Sequence, residues 1–369
     1  MNRTIASSKS PGPRLAVQRR SPAALRVGYV PLIHAAPLLV ARELGLFARH
    51  GLQVRLTREV GWATVREKIV SGELDAAQTL APMAVAMTLG LHSARVDCLT
   101  GLIMNLHGNA VVIAQKLWAT TAGHPSQLAA IRARRSEPLT LGVVYPHSAQ
   151  CLVLHRWCRQ AGLVPDRDYR LVVVPPPQMV AHLKGGHIDG CCVGEPWGSL
   201  AVRDGIGVIA ALSADLAPGH AEKVLLVRHS FSQDRPDHHF ALIRALHEAC
   251  AWCAAPDHRG DVLALLAGRD GLSLPTDVLR PALTGDFDLG AGRRRHHPDA
   301  LIFHGDGVNE PSFGRVAWIP EQLGIPSSPE LLHRSFRSDL FRTAIHATSH
   351  NPQSPLPHAL DHEIATCAV

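Results

Sequence analysis

The sequence contains no run of about 18 apolar residues, so no stretch of it reads as a membrane-spanning helix. Its first residues, Met1 to Ala24, carry Arg3, Lys9, Arg14, Arg19 and Arg20 but no apolar stretch of about seven residues, the core of a secretory signal. Residues 1–24 therefore read as a disordered, basic, Ser/Pro-rich tail. The expected compartment is the cytoplasm, with the periplasm as the alternative if the start site is misassigned. GxxxxGK[ST] and GxGxxG are both absent, which removes the usual phosphate-cradling loops. GxSxG, HExxH and a paired-carboxylate motif are absent too, so no catalytic constellation is legible and the expectation is a protein that is not an enzyme. A second CxxC to complete a zinc site is also missing; Cys250 and Cys253 stand alone inside a helical pattern and read as core thiols. No metal and no cofactor are expected. The eight cysteines, read as free buried thiols, suit a reducing compartment. The net charge of +6 comes from scattered Arg, which argues for no direct nucleic-acid contact. The one dense cluster, Arg293, Arg294 and Arg295 followed by His296 and His297, reads as a solvated loop or a contact for an acidic partner.

What is present is an apolar content of 46% over 369 residues, more than one core usually holds. Leu25–Val30 reads as a strand, followed by a helical pattern closed at Gly45 and Gly51. Strand patterns follow at 52–57 and 74–78, with a helix over 62–71 between them and a second over 82–90, then a strand at 110–114. A second block repeats the order, with strands at 139–144, 169–174 and 188–193 and helices between them. In both blocks a glycine-closed helix leads through an apolar residue and an aspartate (Leu74-Asp75, Ile188-Asp189) into a strand. The pattern predicts an α/β protein of two similar lobes. The first lobe takes 25–118 and returns over 220–345 with C-terminal helices. The second takes 119–219 with the connecting segments, 119–138 being one crossing and 214–222 the other. Two crossings let the lobes hinge. Residues 346–369 read as a second disordered tail.

In open α/β sheets, ligands bind beyond the carboxyl ends of the strands. The segments there are Pro31–Ala36, Trp62, Thr79–Pro82, Gly108–Asn109, His147–Gln150, Pro175–Gln178, Gly194–Trp197 and Lys223. Gly108–Asn109 and Lys223 precede a predicted strand, so the rule reaches them only loosely. The set is rich in donors: an indole, amides, an imidazole and one ammonium. Several donors with one full cation suit a small oxyanion of low charge. Each residue also has a plain reading: Trp62 as packing, Asn109 as a turn, His147 as a turn or surface residue, Lys223 as a surface charge. Glu195, with no partner carboxylate or nucleophile beside it, reads as a structural acid near the hinge.

Several strings carry a resemblance: Trp62 with Arg66, Leu74–Ala77, Ala81–Met83, Gly101 to Asn109, Val172–Val180 (VVVPPPQMV), Cys192–Trp197 (CVGEPW), Glu222–Val224 and, in altered form, Phe303–Pro311. From about Leu25 to about Leu340 the chain resembles the nitrate-binding protein family. That family comprises the solute-binding components of nitrate and bicarbonate ABC importers and cytosolic nitrate/nitrite sensors that work with an ANTAR-type antiterminator. The resemblance implies a periplasmic-binding-protein-like (type II) fold and an anion pocket between the lobes. By motif position Trp62, Asn109, Gly194 and Lys223 would hold nitrate or nitrite, with Pro176 as a wall; bicarbonate is the other candidate. The family has an anion-contacting His where Gln150 stands here, aligned through Trp157, and His147 lies three residues earlier. With no export signal, the expected function is a cytosolic sensor of nitrate or nitrite acting on such an antiterminator. The alternatives are the binding component that meets an ABC permease, and an α/β enzyme of a small carboxylate using Glu195 or His147.

Overall fold

The computed structural model describes residues 24–91 and 93–346. Of the tails expected at 1–24 and 346–369, residues 1–23 and 347–369, with Cys367, lie outside the described residues, while His346 ends the helix Ser338–His346. The strands are β1 (Leu25–Tyr29), β2 (Val54–Arg58), β3 (Ala76–Leu80), β4 (Cys98–His107), β5 (Asn109–Ala114), β6 (Leu139–Val143), β7 (Tyr169–Val173), β8 (Gly190–Gly194), β9 (Gly207–Leu212), β10 (Ala221–Arg228), β11 (Asp286–Gly290), β12 (Arg293–His296) and β13 (Leu301–Ile302). They form a six-stranded sheet of order β13-β4-β10-β3-β1-β2, a five-stranded sheet of order β7-β6-β8-β5-β9, and the hairpin β11-β12.

The two large sheets share one plan. Each has a parallel trio, β2-β1-β3 or β7-β6-β8, followed by an antiparallel strand. That antiparallel strand comes from the other side of a crossing. β5 follows β4 of the first sheet but pairs with β8 and β9 of the second. β10 follows β9 of the second sheet but pairs with β3 and β4 of the first. The expected crossing at 119–138 is thus corrected. The chain changes sheets at His107–Asn109, residues 109–118 belong to the second lobe, and 119–138 holds the helix Gln127–Ala133 and the end of Gln115–Thr120. The return crossing runs through 213–220, between β9 and β10.

β4 had no counterpart in the sequence reading, although it is ten residues long. All ten are buried, so the alternation that marks a half-wet strand is missing. Local signals do account for the helices that carry the site. Trp62–Ser71 buries Trp62, Val65 and Ile69 on one face and stops at Gly72, whose φ of 78° suits glycine. Ala149–Gln160 is capped by Ser148, whose hydroxyl accepts from the Cys151 N–H at 3.1 Å.

The expected solvated loop at Arg293–Arg295 is instead the strand β12, and two of its three arginines are engaged. Arg293 donates to the Ile209 carbonyl at 2.7 Å and lies 4.7 Å from the Trp118 ring centroid. Arg295 grips both oxygens of Asp215, each at 2.7 Å. The hairpin therefore fastens the C-terminal part of the chain to the edge of the second sheet, a connection beyond the two expected. Cys250 and Cys253 are buried in the helix Pro236–Ala254, and burial raises both thiols above the usual range.

Candidate functional site

The strand plan explains why residues before and after strands meet. β10 runs antiparallel to β3, so its start lies at the carboxyl end of β3, with Lys223 opposite Leu80. β5 runs antiparallel to β8, so its first residue, Asn109, lies opposite Gly194, the last of β8. The cleft between the sheets thus receives Lys223 and Trp62 from the first lobe and Asn109, Gln150 and Gly194 from the second.

On the first-lobe side, the Lys223 ammonium sits 5.3 Å from the Trp62 ring centroid. Lys223 is 0% exposed and Trp62 1% exposed. Lys223 is not the solitary cation expected from sequence. Its ammonium pairs with the buried carboxylate of Glu222, which also lies 3.3 Å from His220 Nε2. Neighbours on a strand normally face opposite ways. Here β10 shifts register against β4 on both sides of Lys223, a bulge that allows Glu222 and Lys223 to share one surrounding. Burial acts to raise the Glu222 carboxyl, but the ammonium and then His220 outweigh it and hold the group ionised.

On the second-lobe side, Gln150 donates from Nε2 to Asn109 Oδ1 at 2.9 Å. The Asn109 backbone N–H donates to Ser213 Oγ at 3.2 Å. A Cβ on Gly194 would stand 3.4 Å from Asn109 Oδ1 and 3.0 Å from His34 Cε1, so glycine leaves the approach open. His34 is buried and its Nε2 lies 3.3 Å from the His107 carbonyl. Burial, and next the Lys223 charge, lower its pKa to about 3, so the ring is neutral. Gln78 donates to the His34 carbonyl at 2.6 Å. The wall expected at Pro176 is buried in the turn Pro176–Gln178, and a side chain at Gly61 would meet Pro175 across the cleft at 3.8 Å.

Several buried polar atoms around these residues lack a hydrogen bond, as do others elsewhere in the chain, such as Trp252 Nε1 and Ser335 Oγ. Among the described residues, Trp62 Nε1, Asn109 Nδ2, His34 Nδ1, Gln78 Oε1 and Gln150 Oε1 have none. Each such atom costs about 1–3 kcal/mol unless something completes it. Of the sequence candidates, Trp62 meets Lys223 on the first-lobe side, and Asn109 meets Gln150 and Gly194 on the second-lobe side, with His34 packed next to Gly194. His147 is half-buried in the turn before its helix, edge-on to Tyr145 at 5.8 Å between centroids. His34, Gln78 and Glu222 were not singled out from sequence. His34 and Glu222 lay inside highlighted strings, but nothing local marked their side chains.

Glu195 faces its own helix. Its Oε2 accepts from the Ser199 N–H at 3.1 Å, and its backbone joins the lobes through Glu195 N–H to Gly108 O (2.9 Å) and Ile33 N–H to Glu195 O (3.1 Å). Burial lifts its pKa from 4.5 to about 7. The folded state therefore holds a proton that the unfolded chain has released. Stability falls as pH rises from about 4.5 to about 7 and is flat above, by up to about 3 kcal/mol. Glu195→Gln is expected to remove that slope and raise the melting temperature at pH 8, as read by calorimetry across pH 5–8.

Gly194→Ala puts a methyl 3.0 Å from His34 Cε1 and 3.2 Å from Leu32 Cδ2. Crowding of this kind costs about 1–3 kcal/mol. Urea denaturation is expected to show a loss of stability of that size.

Residues 18–267 match the NMT1-like family. The bicarbonate transport ATP-binding protein CmpC of Synechocystis is 38% identical over 335 residues, 87% of this chain and 49% of that protein. The nitrate import ATP-binding protein NrtC of the same organism is 36% identical over 87% of this chain and 49% of its own length. The chain thus spans about half the length of these relatives. The nitrate/nitrite binding protein NrtA of Synechococcus elongatus is 29% identical over 89% of this chain and 79% of its own. Among solved structures, the periplasmic nitrate-binding protein NrtA from Synechocystis superposes with a TM-score of 0.83 at 24% identity, covering 88% of each chain. The alkanesulfonate-binding protein SsuA from Xanthomonas axonopodis reaches 0.62 at 16% identity, over 87% of this chain and 98% of that one. These likenesses agree with the two-lobed, periplasmic-binding-protein-like fold expected from sequence. The chain belongs to the NMT1-like family, with homologues among the nitrate- and bicarbonate-binding proteins.

Proposed function

We propose that this chain binds a small monovalent oxyanion of the nitrate and bicarbonate class between its lobes, as the ligand-binding part of an ABC-type import system. The observations that carry the reading are two buried, uncompleted donors, Trp62 Nε1 beside the Lys223 ammonium on the first-lobe side and Asn109 Nδ2 beside Gln150 on the second-lobe side. Glu222 already balances Lys223, so the site adds little net positive charge and favours a monoanion over a dianion. Acceptors stand there too, Gln78 Oε1 and Gln150 Oε1 with the Glu222 carboxylate, and they favour an anion that carries a proton. Bicarbonate has that proton and nitrate does not. In this reading Gln150, hydrogen-bonded to Asn109, completes the second-lobe side, and His147 takes no part. Anion binding would stabilise the closed form by its contacts to both lobes, and an ABC permease would be the partner that reads it.

The relatives described above are named for import or for anion binding, which supports this role over the cytosolic sensor with an antiterminator partner. The same names, and the engagement of Glu195 by its own helix, weigh against a carboxylate enzyme. Calorimetric titration with bicarbonate, nitrate and nitrite tests the reading. Saturable heat is expected, strongest with bicarbonate. No heat with any of the three contradicts it.

A further inference from the structure

We propose that the second lobe carries another ligand site, on the side of its sheet away from the cleft, that takes a small organic anion with an apolar body. β5 begins at Asn109 in the cleft and ends at Ala114, and β8 runs the opposite way from Gly190 to Gly194. Beyond the Ala114 and Gly190 ends lies a cavity of about 680 Å³. At about 3.3 Å per residue the two sites are on the order of 16 Å apart. The cavity's size falls in the range of small-molecule pockets, about 300–1,000 Å³.

The lining has two chemistries. Leu117, Leu183, Ile188 and Ile206 make an apolar floor. Lys116, Lys184 and Arg135 bring three cations to the rim, against Asp189 as the one carboxylate of the lining. Asp189 is already committed: it accepts from Arg135 at 2.9 Å and from the Thr140 N–H at 2.8 Å. The exposed ammonium groups of Lys116 and Lys184 therefore face a lining with no carboxylate left for them. An apolar floor beneath two such cations matches a carboxylate or sulfonate on a hydrocarbon body. It does not match the bare oxyanion of the cleft, which has nothing to lay on the floor.

Octanoate is the probe. Calorimetry on the full chain is expected to show saturable binding of one octanoate, unchanged by excess bicarbonate. The double variant Lys116→Glu/Lys184→Glu, at two exposed positions, is expected to weaken octanoate at least about tenfold while leaving 1-octanol within about twofold. Thr120→Trp, which fills the exposed mouth, is expected to abolish both. The charge and blocking variants report on this site whether or not the cleft binds an anion. The proposal is overturned if octanoate gives no saturable signal, if neither variant changes its affinity, or if bicarbonate displaces it.

Discussion

Lys223→Met is expected to abolish anion binding and to lower folding stability by about 3–5 kcal/mol, the usual cost of removing one partner of a buried ion pair. The side chain is fully buried, pairs with Glu222 and lies over the Trp62 ring. Without it, Glu222 keeps the burial that raises its carboxyl and loses the main charge that holds it ionised. The group then takes up a proton or stays charged at a large cost. Adding Glu222→Gln removes the stranded carboxylate, so the double variant should recover most of the lost stability in a urea titration. It should not recover binding, because the cation is still gone. A single variant that binds nitrate or bicarbonate like the wild type means that Lys223 does not face the anion.

Trp62→Ala is expected to cost about 3–5 kcal/mol in urea denaturation through the cavity left under the first turn of its helix. Trp62→Phe separates packing from hydrogen bonding. It keeps an aromatic face beside Lys223 and drops the Nε1–H, which has no partner among the described residues. That variant should lose only about 1–2 kcal/mol of stability yet weaken anion binding by about tenfold, the worth of one good hydrogen bond to a charged group. Equal affinity in Trp62→Phe and wild type would make the indole a packing residue and nothing more.

Local signals in the sequence located much of this architecture. Alternation at 52–57 and the glycines at 45, 51 and 72 bounded the first β-strand–helix units. Two features were not legible. β4 is buried along its whole length, so it has no wet face to produce a period of two. β5 and β10 exchange between sheets, and strand pairing is non-local: nothing within Asn109–Ala114 says that its partners are β8 and β9. That exchange is also why Asn109 and Lys223, which precede their strands, still reach the carboxyl ends of the parallel strands. The site shows the same divide. Trp62, Asn109, Gln150, Gly194 and Lys223 were reachable from their place in motifs. Glu222 was hidden because strand alternation predicts it to face away from Lys223, and the register shift in β10 defeats that rule. His147 drew attention as an imidazole near the right position, but the Ser148 cap starts the helix after it, so Gln150 reaches Asn109 from the first turn instead.

The central claim is that one small anion is held between the lobes by donors from both. A crystal structure of the full chain grown with saturating bicarbonate, and a second with nitrate, tests it most directly. The account predicts a trigonal density in the cleft within about 3 Å of Trp62 Nε1, Asn109 Nδ2 and Lys223 Nζ. Density bound elsewhere, or a cleft filled by water alone while calorimetry shows the anion bound, would contradict it.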